Sequence, residues 1–156
     1  MEKNLSLNNF LKIRKILKKN NKKLVVTNGC FDILHPGHIK IFKISKNKGD
    51  KLLVLVNSDK SIKLNKGKKR PIIKLKDRIQ ILSSIQFIDY LIVFNNKTPE
   101  KIISKIKPDV LTKGSEYKKT DIAGYNTINK LNGKIILIKM FKKYSTTNII
   151  KKIKNL

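Results

Sequence analysis

Thr27-Asn28-Gly29-Cys30-Phe31-Asp32-Ile33-Leu34-His35-Pro36-Gly37-His38 is the stretch on which the reading of this chain turns. It follows an apolar run, Leu24-Val25-Val26, with the character of a buried strand, and it ends where a helical pattern begins. A strand that passes through glycines into a helix start is a ready anion site. The first helical N–H groups have no intrahelical partner, and the helix dipole places positive potential there. His35 and His38 flank Pro36-Gly37 at that junction and add donors aimed at a phosphate. A histidine pair at a strand-to-helix turn points to nucleotide-phosphate binding with chemistry at phosphorus.

Upstream, residues 5–19 place Leu5, Phe10, Ile13, Ile16 and Leu17 near helical spacing with Lys and Arg between, which predicts an amphipathic helix beside the first strand. Downstream, the pattern predicts a helix over 38–48, a strand over 52–56, a polar segment over 60–70 with the basic cluster Lys66-Gly67-Lys68-Lys69-Arg70, a helix over 75–84 and a strand over 90–94. Thr98-Pro99-Glu100 predicts a helix start, with Thr98 as N-cap and Pro99 at the first helical position. A strand at 110–112, a polar loop over 113–124, a helix over 125–131 and a strand over 134–139 follow. Ser145-Thr146-Thr147 then caps a helix over 148–153. Strands that are apolar throughout, alternating with helices, imply an α/β domain with a parallel sheet of about five strands and helices on both faces. Ligands on such sheets bind beyond the C-terminal strand ends. The unusual polar residues sit at the ends of the first, second, fourth and fifth strands, near Asn28, Asn57, Lys113 and Phe141.

Length and composition set the frame. The 156 residues suit one domain, read as a helix over 1–22 packed on a domain over 23–156. No run is long and apolar enough to span a membrane, and residues 1–9 carry no apolar signal core, so a cytoplasmic protein is expected, with no membrane partner. One cysteine excludes an internal disulfide framework. A zinc site needs three or four ligands, and with two histidines and one cysteine the chain is not read as a metal protein. The net charge of +27 invites a nucleic-acid reading. However, 34 Lys, 25 Ile and 16 Asn against three Arg is the balance of AT-rich codons, and the lysines are spread along the chain. No nucleic-acid partner is therefore inferred. The charge still concentrates anionic substrates in a salt-dependent way.

The opening stretch resembles the H-x-G-H signature of the nucleotidyltransferase superfamily that contains cytidylyltransferases and adenylyltransferases. Within it, the chain is most similar to the adenylyltransferase family of ADP-heptose synthesis. The likeness runs on through Val56-Asn57-Ser58-Asp59, Lys66-Gly67, Arg70-Pro71, Asp77-Arg78, Thr98-Pro99, Pro108-Asp109, Lys113-Gly114, Ile122-Ala123-Gly124 and Ser145-Thr146-Thr147-Asn148-Ile149-Ile150. The resemblance implies a single Rossmann-like domain. It implies ATP as co-substrate with Mg²⁺, a sugar 1-phosphate acceptor, a separate heptose kinase upstream and a possible homodimer.

For the residues, the resemblance implies that His35 and His38 donate to the triphosphate as charge develops, and that Lys66 and Arg78 assist them at the phosphates. It implies that Thr27, Asn28, Gly29, Cys30 and Phe31 line the nucleotide, with Gly29 and Gly37 allowing close approach. Lys113 and Gly114 contact the nucleotide, Ser145, Thr146 and Thr147 hold the β- and γ-phosphates, and Asp32 and Arg70 face the substrate. Asp32 stands between two roles, bonding within the turn or helping to hold Mg²⁺. A retained Arg in a chain that otherwise uses Lys suggests that bidentate geometry matters. Two departures stand out. The segment before Ser145 is Met140-Phe141-Lys142-Lys143-Tyr144, with no Arg, unlike many cytidylyltransferases, and with Lys143 where the heptose family usually has Gly. Lys113-Gly114-Ser115-Glu116-Tyr117 replaces the family's Lys-Gly-Gly-Asp-Tyr. CTP-dependent transfer to a polyol or amino-alcohol phosphate, and a non-catalytic nucleic-acid-binding module, remain as alternatives.

Overall fold

Successive side chains of a strand point to opposite faces of a sheet, so a strand apolar at every position must be covered on both sides. That is the architecture of the chain. The computed structural model describes residues 2–139 and 145–155. β1 (Leu24–Gly29), β2 (Lys51–Asn57), β3 (Tyr90–Phe94), β4 (Val110–Gly114) and β5 (Lys134–Ile138) form an all-parallel sheet in the order β3-β2-β1-β4-β5. The connecting helices are α1 (Leu7–Lys19), α2 (Pro36–Lys46), α3 (Asp59–Lys66), α4 (Leu75–Ser83), α5 (Glu100–Ile106), α6 (Tyr125–Lys130) and α7 (Thr146–Lys154).

The two faces build two cores. Leu24, Val26, Leu53, Leu55 and Leu111 point to one face and meet Phe10 and Leu17 of α1, Ile103 and Ile106 of α5 and Ile128 of α6. Val25, Leu52, Val54, Val56 and Val110 point to the other and meet Ile41 and Phe42 of α2 and Leu82 of α4. The segment before α1 joins the sheet edge, where Leu5 N donates to Leu91 O at 2.9 Å and Leu91 N to Lys3 O at 2.7 Å.

The topology places the site. The chain runs outward from β1 to β2 and β3, then returns to the opposite side of β1 as β4. Connections leave β1 and β4 in opposite directions, which opens a crevice at their C-terminal ends. The ladder between them is short, pairing only Val25 with Val110 and Val26 with Leu111, so the strands part just where Thr27, Asn28 and Lys113 follow.

Several local expectations shift. Asp59–Lys66 forms α3, most of it within the polar segment expected over 60–70. Ser58 Oγ accepts from Ser61 N at 3.1 Å as its cap, Ser61 and Ile62 are buried, and Gly67 at φ 88° stops it. The apolar stripe is too short and too diluted by lysine to show in the pattern. α2 begins at Pro36 with His35 as its N-cap residue, two positions before the expected start. Thr98 does not cap α5; Pro99 occupies that position. α7 starts at Thr146, with Ser145 Oγ accepting from Asn148 N at 3.0 Å. The expected effects of Lys143 and of a strand end near Phe141 fall in 140–144, outside the described residues. Among the described residues, no helix is long and apolar enough to cross a membrane.

Candidate active site

A cavity of about 500 Å³ opens at the C-terminal strand ends. Its wall is built from the β1–α2 turn, the end of β2, α3, the β3–α5 and β4–α6 connections, and the start of α7.

The β1–α2 turn carries the histidines. His35 precedes Pro36, whose fixed φ suits the first helical position. His38 N donates to His35 O at 2.9 Å, closing the first turn of α2. Residues three apart share one face of a helix, so the rings meet. They stack with centroids 3.8 Å apart and planes 22° from parallel. The edge of the Phe31 ring supports His38 at 5.3 Å and 72°. Burial lowers the pKa of His35. Burial and the neighbouring His35 push His38 down to about 3. Both rings are therefore neutral in the free protein at physiological pH. His38 Nδ1 is buried and unbonded, which leaves Nε2 as the nitrogen for a ligand.

Phe31 sits at φ 49°, a conformation that costs a non-glycine residue energy and persists where surroundings impose it. Its ring takes the space above Gly29, where a Cβ would lie 2.8 Å from Phe31 Cζ. Gly29 thus makes room for Phe31 while it lines the cavity. Gly37 is buried in the first turn of α2 and is not among the residues that line the cavity.

Thr27 lines the cavity, but its buried hydroxyl donates to Thr112 O at 3.1 Å and stitches β1 to β4 just past the end of their ladder. Above it, Lys113 Nζ donates to Asn28 O and Asn28 Oδ1, both at 3.0 Å, and lies 5.0 Å from the Tyr117 ring centre. Desolvation pushes Lys113 down to about 8, opposed by Cys30 and Glu116. Burial raises the Cys30 thiol despite the cations around it, so it is neutral. Gly114 carries the carboxylate of Glu116 directly above it, where a side chain would collide.

Asp32 is 2% exposed and its carboxylate is fully engaged. It accepts from Arg70 Nε at 2.5 Å, and from Ile72 N and Ile73 N at 2.8 Å each. Of the two roles left open for it, these bonds correspond to the first. The carboxylate fastens the segment after α3 to the β1–α2 turn, on the wall of the cavity. Arg70 still reaches the cavity wall, with Nε bound to Asp32.

Arg78 lies beneath the cavity. It is 1% exposed and absent from the cavity wall. Nη1 donates to Cys30 O at 2.6 Å and Asn57 O at 2.9 Å, Nε to Ile73 O at 3.1 Å, and Nη2 to Asp59 Oδ1 at 2.8 Å. Its guanidinium ties the ends of β1 and β2, the start of α3 and the start of α4 beneath the site. The bidentate geometry expected of it is used on the protein itself.

Lys66 at the end of α3 lines the cavity, as do Ser145, Thr146 and Thr147, and Thr146 Oγ1 reaches Ile33 O at 3.4 Å in the β1–α2 turn. The fold thus brings the histidine turn, Lys66, Lys113 and the start of α7 around one space. Sequence reasoning missed Asn65, Lys97, Glu116 and Tyr117 on the same wall. Lys97 was within reach, because it follows β3 and the strand-end rule used for the other strands applies there as well.

The doubly wound parallel sheet with its switch-point cavity defines a Rossmann-like α/β domain. The chain belongs to the cytidylyltransferase-like family, whose model matches residues 26–152, and is a nucleotidyltransferase. The bifunctional protein HldE of Hydrogenovibrio crunogenus is 43% identical over 138 residues, 88% of this chain and 29% of that protein. The bifunctional protein HldE of Haemophilus influenzae is 44% identical over 137 residues, again 88% and 29%. The chain thus spans less than a third of the length of these relatives. Among solved structures, the lipopolysaccharide core biosynthesis protein from Thermoplasma volcanium superposes with a TM-score of 0.63 at 32% identity, covering 80% of this chain and 99% of that one. Pantoate-beta-alanine ligase from Francisella tularensis superposes with a TM-score of 0.67 at 19% identity, covering 100% and 79%, a likeness of fold alone.

Proposed function

We propose that this domain transfers AMP from ATP to D-glycero-β-D-manno-heptose 1-phosphate, giving ADP-heptose and pyrophosphate. The observation that carries the chemistry is the stacked, neutral pair His35 and His38 on the first turn of α2 in a cationic cavity. An oxygen of the sugar phosphate attacks the α-phosphorus, the bond from that phosphorus to the bridging oxygen breaks, and pyrophosphate leaves. Such transfers need positioning and charge stabilisation more than covalent catalysis. The imidazoles donate to the α-phosphate and the bridging oxygen, and the anion in turn favours their protonated form. The hydroxyls and unpaired N–H groups at the start of α7 receive the β- and γ-phosphates. Lys113 orders the strand end that meets the nucleotide.

Mg²⁺ at a nucleotide site is held largely by phosphate oxygens and water, with few protein ligands. Among the described residues, no group of three or more His, Cys, Asp or Glu stands ready to hold an ion, and Asp32 is spent on Arg70 and two backbone N–H groups. On this reading Mg²⁺ arrives as part of MgATP. The choice of sugar is supported by the matched segments of the sequence and by similarity to HldE proteins and to a lipopolysaccharide core biosynthesis protein.

The test is pyrophosphate release with ATP or CTP offered against a panel of sugar and polyol phosphates. Turnover with ATP and the heptose phosphate is expected. Turnover with CTP alone refutes the assignment. No turnover with any pair, alongside tight and salt-sensitive RNA or DNA binding, replaces it with a non-catalytic module.

A further inference from the structure

In an in-line displacement, the attacking and leaving oxygens lie on opposite sides of the phosphorus. The histidine turn and the start of α7 occupy the side assigned above to the leaving pyrophosphate, and Lys113, Gly114 and Tyr117 the end of β4. Apart from Arg70 and the β4–α6 connection, the rest of the wall comes from the ends of β2 and β3 and from α3, and it is built as a unit. Asn57 Nδ2 donates to Ser61 Oγ at 2.8 Å, and Ser61 Oγ donates to Asn96 O at 2.6 Å. Asn65 Nδ2 donates to Ser61 O at 3.0 Å and to Lys97 O at 2.9 Å. Ser58 N donates to Phe94 O at 2.9 Å, and Pro99 is buried at the far end of the connection. These bonds lash the β3–α5 connection to α3, and so present Lys97 and Lys66 from two elements on one wall.

The charge pattern points the same way. Among the described residues, neither Lys66 nor Lys97 is paired with a carboxylate. The acids on the cavity wall lie elsewhere. Asp32 is bound to Arg70, and Glu116 and Asp121 sit in the β4–α6 connection. Two unpaired ammonium groups on a braced, acid-free wall suit a phosphate dianion.

We infer that Lys97 and Lys66 form a clamp for the phosphate of the acceptor, and that Asn65 is the positioning residue that sets their spacing. The inference rests on the nucleotidyl-transfer reading above and assigns its acceptor side. Lys97→Met, a change at an exposed position, raises the KM for heptose 1-phosphate by about tenfold, the worth of one charge-assisted hydrogen bond. The KM for ATP stays within about twofold. Lys97→Arg keeps most of the wild-type acceptor KM, and Asn65→Ala shifts it in the same direction as Lys97→Met, again without moving the KM for ATP. A Lys97→Met enzyme with unchanged acceptor KM, or with the loss on the ATP side, overturns the clamp. If the wild-type enzyme turns over no heptose phosphate, that result falls on the choice of sugar. The clamp is then read by titrating inorganic phosphate into protein loaded with a non-hydrolysable ATP analogue. Weaker phosphate binding by Lys97→Met supports it, and equal binding overturns it.

Discussion

Lys113 Nζ donates to both the backbone and the side-chain carbonyl oxygen of Asn28, at 3.0 Å each, across the gap where β1 and β4 stop pairing. One ammonium group thereby bridges the two strands that form the crevice. Its burial lowers its pKa to about 8, so its charge is lost within an accessible range. Below that value Lys113 is a cation at the nucleotide's expected position. The KM for ATP is therefore expected to rise above pH 8 in the wild type and to stay flat over that range in Lys113→Met. The stability consequence has a definite sign. Between about 8 and 10.5 the unfolded chain keeps a proton that the folded chain has released, so folding gains stability as pH rises through that window. Denaturant midpoints of wild type and Lys113→Met across that range check this.

The histidine pair is expected to matter to rate and little to folding. His35→Ala and His38→Ala should each lower turnover by about 10²–10³-fold, the usual loss for a donor to developing transition-state charge. Circular dichroism should show the α/β fold in both variants. Near-normal turnover in either removes that histidine from the proposed chemistry.

His38 also makes a pH prediction. Its folded pKa of about 3 lies below the ordinary 6.5, so as pH falls from 6.5 towards 3 the unfolded chain takes up a proton that the folded chain refuses. The stability contributed by the buried neutral ring is present above pH 6.5 and is lost on acidification. Imidazole NMR of the free protein should show His38 unprotonated at pH 5. Adding pyrophosphate should move its titration upward, because the anion favours the imidazolium. A titration near 6.5 in both states contradicts the geometry described.

Arg78 is expected to behave as a structural keystone. Four of its contacts are to Ile73, Cys30, Asn57 and Asp59, from as many segments around the floor of the site. Arg78→Met should cost about 3 kcal/mol or more in urea unfolding, because it leaves buried carbonyls and Asp59 without their partner. Arg78→Lys should recover only part, since an ammonium cannot span that planar fork. Substantial loss of turnover with unchanged stability would instead restore a direct role at the phosphates.

The Asp32–Arg70 pair holds the segment after α3 against the histidine turn. Asp32→Asn keeps the shape but weakens three bonds, and should raise protease cleavage within residues 67–73 while leaving the sheet's thermal transition cooperative. Limited proteolysis with mass mapping reads this out. An unaltered cleavage pattern means that the pair is not what fastens the segment.

The sequence by itself determined the class of fold and pointed to the turn around which the candidate site is proposed. Continuous apolar strands such as Leu52–Val56 announce burial on both faces, and the His35–His38 spacing at a strand-to-helix junction announces an anion site, because both signals are carried by neighbouring residues. The capping hydroxyl of Ser145 was legible for the same reason. What only the tertiary structure decided is how polar groups far apart in the chain pair with one another. Whether Arg78 faces a phosphate or three backbone carbonyls and the Asp59 carboxylate depends on residues up to 48 positions away. Asp32 is closed by Arg70, 38 positions on, and Lys113 is turned onto Asn28, 85 positions back. Lys97 reached the site only when the β3–α5 connection was tied to α3. Local periodicity reports which side of an element is buried. It carries no information on which distant donor will meet which acceptor, and in this protein that pairing separates the residues that build the floor of the cavity from those left free to face a ligand.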